Sequence, residues 1–286
     1  MSRIAYVNGR YLPHRAACVH VEDRGFQFAD GAYEVIAVRG DGFVDEALHF
    51  ERLHRSLGEL RIEPPMSDAA LRAVMRETVR RNRVADGIVY IQVTRGAAPR
   101  DFAFPPGARP SLIMTARAQR ALDPAILERG VRVITVPDIR WARPDIKSVA
   151  LLPNALGKQR ARETGAYEAW QVDRDGNVTE GTSSNAWIVT DSNTIVTRQA
   201  DHAILNGVTR LGVLNAARGS GLAVEERPFS VAEAKAAREA FLTSTTNFVV
   251  PVVRIDDAAV GEGTPGDIVR RLRALYADRA LKGVVR

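Results

Sequence analysis

Arg143-Pro-Asp-Ile-Lys-Ser148 and, 33 positions beyond its lysine, the glutamate of Val178-Thr-Glu-Gly-Thr-Ser-Ser-Asn185 are the two segments from which the rest of the chain is read. A lysine amine attacks a carbonyl once freed of its proton, and a carboxylate keeps a proton on a heterocyclic nitrogen by charge pairing. Lys147 lies between Pro144 and Pro153 and precedes the apolar run Val149, Ala150, Leu151 and Leu152, a setting in which burial favours the neutral amine. Glu180 follows the turn Asp173-Arg-Asp-Gly-Asn177 and precedes the strand-like Ala186-Trp-Ile-Val189. Gly181 and the small hydroxyl residues after it let backbone approach a ligand closely. Taken singly, each segment also fits a solvated lysine or an acid on an ordinary β-turn.

Outward from these segments, the chain reads as mixed strands and helices. Val7-Asn-Gly-Arg10 places an Asn-Gly pair between apolar runs and predicts a hairpin. Residues 32–38 read as a strand, Leu53, Leu57 and Leu60 recur at helical spacing, and a second helix opens at Ser67 with Leu71, Val74, Met75 and Val79 on one face. Strands follow at 88–94 and 111–116, separated by a loop over 95–110 that is long enough to be functional. Periodicity lapses near Gln119-Arg-Ala-Leu-Asp-Pro124 and restarts with Val131-Arg-Val-Ile-Thr-Val136, which puts a domain boundary there. Beyond it come a helix over about 154–164, strands near 166–172, 185–190 and 194–197, helices after Gly207 and Ser230, and strands near 239–243 and 248–254. Strands and helices without strict alternation argue for α+β domains, with a curled sheet in the second half.

The 286 residues, 45% hydrophobic and 26% charged, have the balance of a soluble globular protein of one large or two ordinary domains. No run is long enough for a membrane span, and the first residues carry no secretory-type apolar stretch, so a cytoplasmic location is expected. Cys18 is the sole cysteine, which excludes an internal disulfide and a cysteine-rich metal site and reads as a quiet, partly buried thiol. The net charge of +6 comes mostly from arginines scattered beside acids, as at Arg72, Arg76, Arg80, Arg81 and Arg83. That pattern fits solvated helix faces rather than a nucleic-acid surface, and its field would gather anionic substrates.

Two segments supply donors for a phosphate without a Walker-type loop. Leu205-Asn-Gly-Val-Thr-Arg210 opens a helix, whose free N–H groups and dipole join the Thr209 hydroxyl. Thr243-Ser-Thr-Thr-Asn247 ends a strand and offers a second nest, and Arg52 in His49-Phe-Glu-Arg-Leu53 offers a charged fork.

Together with residues 22–35, Thr94-Arg-Gly96 and Asp138-Ile-Arg-Trp141, these segments resemble the fold-type IV pyridoxal-phosphate enzymes over nearly the whole chain, and most closely the D-amino acid aminotransferases. The resemblance implies a mixed α+β and α/β two-domain fold, residues 1–120 and 121–286, with pyridoxal 5'-phosphate between the domains and a homodimer completing each site. It makes Lys147, in the second domain, the Schiff-base lysine and proton shuttle, and Glu180 the partner of the pyridine nitrogen. Arg52, Val208, Thr209, Ser244 and Thr245 become the phosphate cradle and Leu205 a cover on the ring face. Tyr33, Ser183 and Ser184 fall on the substrate side. The implied reaction is a ping-pong transfer between a small-molecule amino donor and a 2-oxo acid, with no metal, nucleic acid or membrane. The D-amino acid group of best-known type carries Arg-x-His in the loop after Thr-Arg-Gly to hold the α-carboxylate. Here Pro99-Arg-Asp-Phe102 keeps Arg100 but puts Phe102 in the histidine's place. That substitution opens the (R)-amine transaminases as an alternative within the same fold, beside branched-chain aminotransferases and aminodeoxychorismate lyases. A basic nucleic-acid-binding protein is the non-enzyme alternative.

Overall fold

The computed structural model describes residues 3–40 and 42–282, which fall into two compact units. One unit holds the described residues up to Arg120 together with Ile146–Ala150, and the other holds Ala121–Asp145 and Leu151–Lys282.

The first unit opens with the hairpin that Asn8-Gly9 predicts. Strands β1 (Ile4–Val7) and β2 (Arg10–Pro13) pair antiparallel, and Asn8 and Gly9 take φ of 46° and 90°, the left-handed pair that matches strand twist in a two-residue turn. A short helix α1 (Arg24–Phe28) leads to β3 (Gly31–Arg39), β4 (Gly42–Phe43), α2 (Glu46–Glu59), α3 (Asp68–Asn82), β5 (Asp86–Thr94) and β6 (Ser111–Ala118). The six strands form one antiparallel sheet in the order β2-β1-β6-β5-β3-β4. Ser67 caps α3 by accepting from the Ala70 amide. The predicted helical stripes, Leu53 and Leu57 on α2 and Leu71, Met75 and Val79 on α3, are buried with Ile36, Ile91 and Met114 of the sheet. Because side chains alternate along a strand, Tyr33, Tyr90 and Gln92 point to the opposite face, where they stay half-buried.

The Lys147 segment groups with this first unit and not, as the expected division had it, with the second half of the chain. Backbone pairing is the reason. Tyr33 donates its amide to the Lys147 carbonyl at 3.0 Å, Val149 donates to the Gly31 carbonyl at 3.0 Å, and Ala32 and Ser148 form a bridge, so residues 147–149 continue the sheet beside the start of β3. The Lys147 amide also donates to Ser56 Oγ on α2, at 3.2 Å.

In the second unit come α4 (Pro124–Arg129), β7 (Val131–Pro137), α5 (Leu152–Glu163), β8 (Glu168–Val172), β9 (Val178–Gly181), β10 (Asn185–Val189) and β11 (Ile195–Thr197). They are followed by α6 (Val208–Gly219), β12 (Val224–Glu226), α7 (Val231–Ala236), β13 (Glu239–Ser244), β14 (Phe248–Ile255), β15 (Ala258–Ala259) and α8 (Asp267–Lys282). The sheet runs β12-β11-β10-β13-β14-β7-β8-β9, with β15 paired to β14. Strands β9 and β10 stand five strand spacings apart in that order, roughly 24 Å if the sheet were flat. Only residues 182–184 connect them, a reach of roughly 14 Å, so the sheet curls. Its core holds Val133, Trp170, Ile188, Phe229, Leu242 and Val250.

Two sequence expectations are corrected, for Cys18 and for the run after Lys147, and the alternative reading of Glu180 as an acid on an ordinary β-turn is set aside. Cys18 is exposed, because it lies in an irregular stretch between the first hairpin and α1 with no core against it. Glu180 sits on a strand, not on a turn, the turn being residues 182–184 just after it. The apolar run after Lys147 does not wall it in, since Leu152 starts a helix on its outer face and is 70% exposed.

Candidate active site

Each unit carries its own cluster of the expected site residues. In the first, the Lys147 side chain is half-buried and its Nζ lies 4.2 Å from the centre of the Tyr33 ring, which stacks in turn on Tyr90 at 5.6 Å. Among the described residues Lys147 Nζ has no ion pair and no hydrogen bond. An amine held by backbone pairing and a ring face, with no carboxylate to neutralise it, is available for chemistry.

Arg52, on α2, is committed within the same unit. Its Nε and Nη2 donate to the two oxygens of Glu34 at 2.7 and 2.8 Å, and His49 Nδ1 lies 2.8 Å from Glu34 Oε2. Burial would raise the Glu34 carboxyl, but the Arg52 charge and hydrogen bonds, then His49, hold it well below the usual carboxylate range. Burial pushes His49 below its ordinary value despite the Glu34 charge. One arm of the expected phosphate cradle is thus oriented by a buried acid and a buried imidazole.

The loop over 95–110 is exposed at Arg100 and Phe102, the latter by 79%. The Arg100 guanidinium lies 4.9 Å from the Phe28 ring and 5.7 Å from Phe102, and the two rings sit 5.5 Å apart. Among the described residues Arg100 is therefore held by aromatic contacts and not by an ion pair.

In the second unit Glu180 is buried at the end of β9. Its Oε1 accepts from Arg140 Nη1 and from the Leu205 amide at 3.1 Å, and its Oε2 accepts from Asn185 Nδ2 at 3.0 Å. Asn185 Nδ2 also donates to the Leu205 carbonyl at 2.9 Å, so one amide ties the acid to the turn before α6. Arg140 forks onto Asp138 as well, with Nε and Nη2 at 2.9 and 2.6 Å from its two oxygens. Burial opposes charge on Arg140, yet Glu180 and Asp138 hold its guanidinium above the ordinary arginine value.

Beyond Leu205, Gly207 caps α6 with extended backbone and no side-chain cap. Val208 and Thr209 are buried in its first turn. A Cβ on Gly207 would stand 2.2 Å from Asn185 Oδ1, so only glycine brings the helix start this close to β10. Asn185 pairs across the sheet with Thr243, which places the end of β13, with Ser244 and Thr245 after Thr243, beside the same helix start. Trp187 Nε1 donates to Thr243 Oγ1 at 2.9 Å and fixes that strand end. Free helix N–H groups, hydroxyls and a glycine cradle make a donor set that fits a phosphate dianion. Ser183 is exposed, its amide and hydroxyl both donating to buried Glu168, at 2.7 and 2.9 Å, while the buried Ser184 hydroxyl has no hydrogen-bond partner among the described residues.

Sequence reasoning passed over Glu34, His49, Arg140, Glu168 and Asn185 as functional side chains. Asp138 and Arg140 stand two residues apart just past β7, where the Arg140 amide also donates to Asp138 Oδ1 at 3.1 Å, so this pairing was a local signal that was available. The partners of Glu34 and Glu168 lie 14 to 18 positions away and carried no local signal.

Comparison with known proteins gives the family of the chain. A family description, amino-transferase class IV, matches residues 31–255. The D-alanine aminotransferase of Bacillus licheniformis is 41% identical over 275 residues, 96% of each chain, and that of Staphylococcus haemolyticus is 38% identical over 94% of each. Among solved structures, the T.th. branched-chain amino acid aminotransferase with pyridoxamine 5'-phosphate superposes with a TM-score of 0.90 at 25% identity, covering 100% of this chain and 98% of that one. The 4-amino-4-deoxychorismate lyase of Pseudomonas aeruginosa gives 0.82 at 28% identity, covering 96% and 98%. The same polypeptide path is shared by enzymes of different reaction, and the sequence relatives narrow it: this chain belongs to the class IV aminotransferase family.

Proposed function

We propose that this chain transfers an amino group between a D-amino acid and a 2-oxo acid, for example from D-alanine to 2-oxoglutarate, with pyridoxal 5'-phosphate as cofactor. The observation that carries the reading is the Lys147 Nζ over Tyr33, without an ion pair among the described residues, in a chain related along its length to D-alanine aminotransferases. The cofactor supplies an aldehyde that takes amines and a ring that withdraws electrons. Lys147 Nζ would hold the aldehyde end and, when released from it, would carry the proton at the substrate Cα. Glu180, kept anionic and oriented by Arg140, Asn185 and the Leu205 amide, holds a proton on the pyridine nitrogen. Val208, Thr209, Ser244 and Thr245 give donors to the phosphate, with Arg52 as a charged arm, and Leu205 covers the ring. Tyr33, Ser183 and Ser184 line the substrate side, and Arg100 grips the α-carboxylate from a second copy of the chain in a homodimer. Phe102, in the histidine's place and largely exposed, favours one further reading, that (R)-amines without a carboxylate are also taken.

The test is a substrate panel of D- and L-amino acids and (R)-amines against pyruvate and 2-oxoglutarate. Wild-type protein should show an absorbance band above about 400 nm that borohydride removes, and Lys147→Ala should lack both the band and steady-state turnover. Appreciable transamination by Lys147→Ala would sink the assignment.

A further inference from the structure

The segment that carries Arg100 is not a free loop. Arg24, on α1, is only 3% exposed, and its Nη1 donates to the Asp101 carbonyl at 2.5 Å while Nη2 lies 3.4 Å from the Phe102 carbonyl. Its Nε is held by Asp30 Oδ2 at 2.8 Å. Asp30 also accepts from Arg95, Nε at 2.7 Å and Nη2 at 3.0 Å, and Arg95 in turn donates to the Leu60 and Arg61 carbonyls. The Arg24 guanidinium lies 4.7 Å from the Phe28 ring, against which the tilted Phe102 ring and the Arg100 guanidinium also pack. Two backbone carbonyls directly after Arg100, and the aromatic surface beneath its guanidinium, are therefore fixed by one buried arginine.

From this geometry we infer that Arg24 is a positioning residue for carboxylate recognition: it sets where Arg100 and Phe102 stand, without itself touching substrate. The inference rests on the reading of Arg100 as the carboxylate grip. A buried guanidinium can do this because its planar fork supplies Nε to one anchor while two other N–H groups reach the loop. Lysine keeps the charge toward Asp30 but lacks the fork, so Arg24→Lys separates positioning from ion pairing. Phe102 stays in place by the same contacts, which makes the identity of that side chain matter to the pocket although it lies on a long connection.

The experiment uses the cofactor-loaded enzyme and three variants, Arg24→Lys, Arg100→Ala and the double variant. Arg24→Lys should raise KM for D-alanine about tenfold with kcat changed by less than about twofold, the loss expected when a charge-assisted contact is misplaced. KM for (R)-1-phenylethylamine, which has no carboxylate, should stay within about twofold. Hydrogen exchange at the amides of residues 99–104 should quicken about tenfold, as local opening becomes easier. The double variant should resemble Arg100→Ala alone, because the two changes act on one interaction. Loop exchange in Arg24→Lys equal to wild type overturns the inference, and so does an equal KM rise for both substrates. Failure of the underlying reading shows elsewhere, as an Arg100→Ala enzyme that keeps its preference for the carboxylate-bearing donor.

Discussion

Arg140 and Glu180 form a buried ion pair, Nη1 to Oε1, on a carboxylate that also accepts from the Leu205 amide and the Asn185 side chain. Arg140 is 5% exposed and its other nitrogens hold Asp138. Removing it leaves two acids in a buried place without the cation that bridges them. Arg140→Met should therefore cost about 3–5 kcal/mol of unfolding free energy, the usual penalty for breaking a buried pair from one side. Adding Glu180→Gln to that variant should recover part of the loss, since Asp138 keeps the Thr179 hydroxyl at 2.8 Å. Urea unfolding of the cofactor-free proteins measures both, and a cost below about 1 kcal/mol would show that Glu180 does not depend on this cation.

Acid sensitivity should begin at His49. Its folded value lies below the ordinary 6.5, so the unfolded chain binds the proton more readily. The stability is complete above pH 6.5 and falls as pH drops toward the folded value. Glu34 and Asp138 lie below their ordinary 4.5 and 3.8, so their stability is present above those values and is lost as pH falls through the folded ones. Unfolding free energy should decline in two stages, the first no steeper than the one-proton limit of about 1.4 kcal/mol per pH unit. In His49→Gln the stage that begins below pH 6.5 should vanish while the acid stage remains. A slope unchanged in that variant would assign it to another group.

Most of this fold could be read from residue patterns because its elements carry local signals. Asn8-Gly9, the Ser67 cap and the leucine stripe of α2 each name their structure within a few residues. Helix α8 was readable in the same way, from Val269, Leu272, Tyr276 and Ala280 on one buried stripe, and was passed over. What could not be read is non-local. Nothing near Lys147 announces that its backbone pairs with Gly31 and Tyr33, more than a hundred positions earlier. Glu34 beside Arg52 and Glu180 beside Arg140 are likewise chosen by topology, and the residues at Gly207 and Asn185 declare their contact only once β10 and α6 are folded.

Glycine at position 207 should prove irreplaceable for steric and not conformational reasons. Its φ of −66° suits alanine, but the new Cβ would meet Asn185 Oδ1 at 2.2 Å and displace the amide that binds both Glu180 and the Leu205 carbonyl. Gly207→Ala should cost about 1–3 kcal/mol and weaken cofactor binding about tenfold or more. Gly58→Ala, on the exposed side of α2 with open space around it, should instead add about 0.5–1 kcal/mol. Thermal unfolding and fluorescence titration with pyridoxal 5'-phosphate distinguish the two sites, and equal behaviour would remove the steric argument.

Phe102 is the position at which donor preference should be most easily moved. The residue is 79% exposed, and its ring packs tilted against Phe28 at 5.5 Å and lies 5.7 Å from the Arg100 guanidinium, so an imidazole of similar shape can keep that contact while adding an N–H donor. Phe102→His should raise the ratio of kcat/KM for D-alanine over (R)-1-phenylethylamine about fivefold to tenfold, the worth of one further hydrogen bond to a charged group. An exposed imidazole is cationic below about pH 6.5, so the gain should be larger at pH 6 than at pH 8 and should shrink through that interval. Stability should change little, since the side chain contributes no buried core surface. A ratio that stays flat at both pH values would mean that residue 102 does not face the donor carboxylate, and Arg100 would then have to grip it alone.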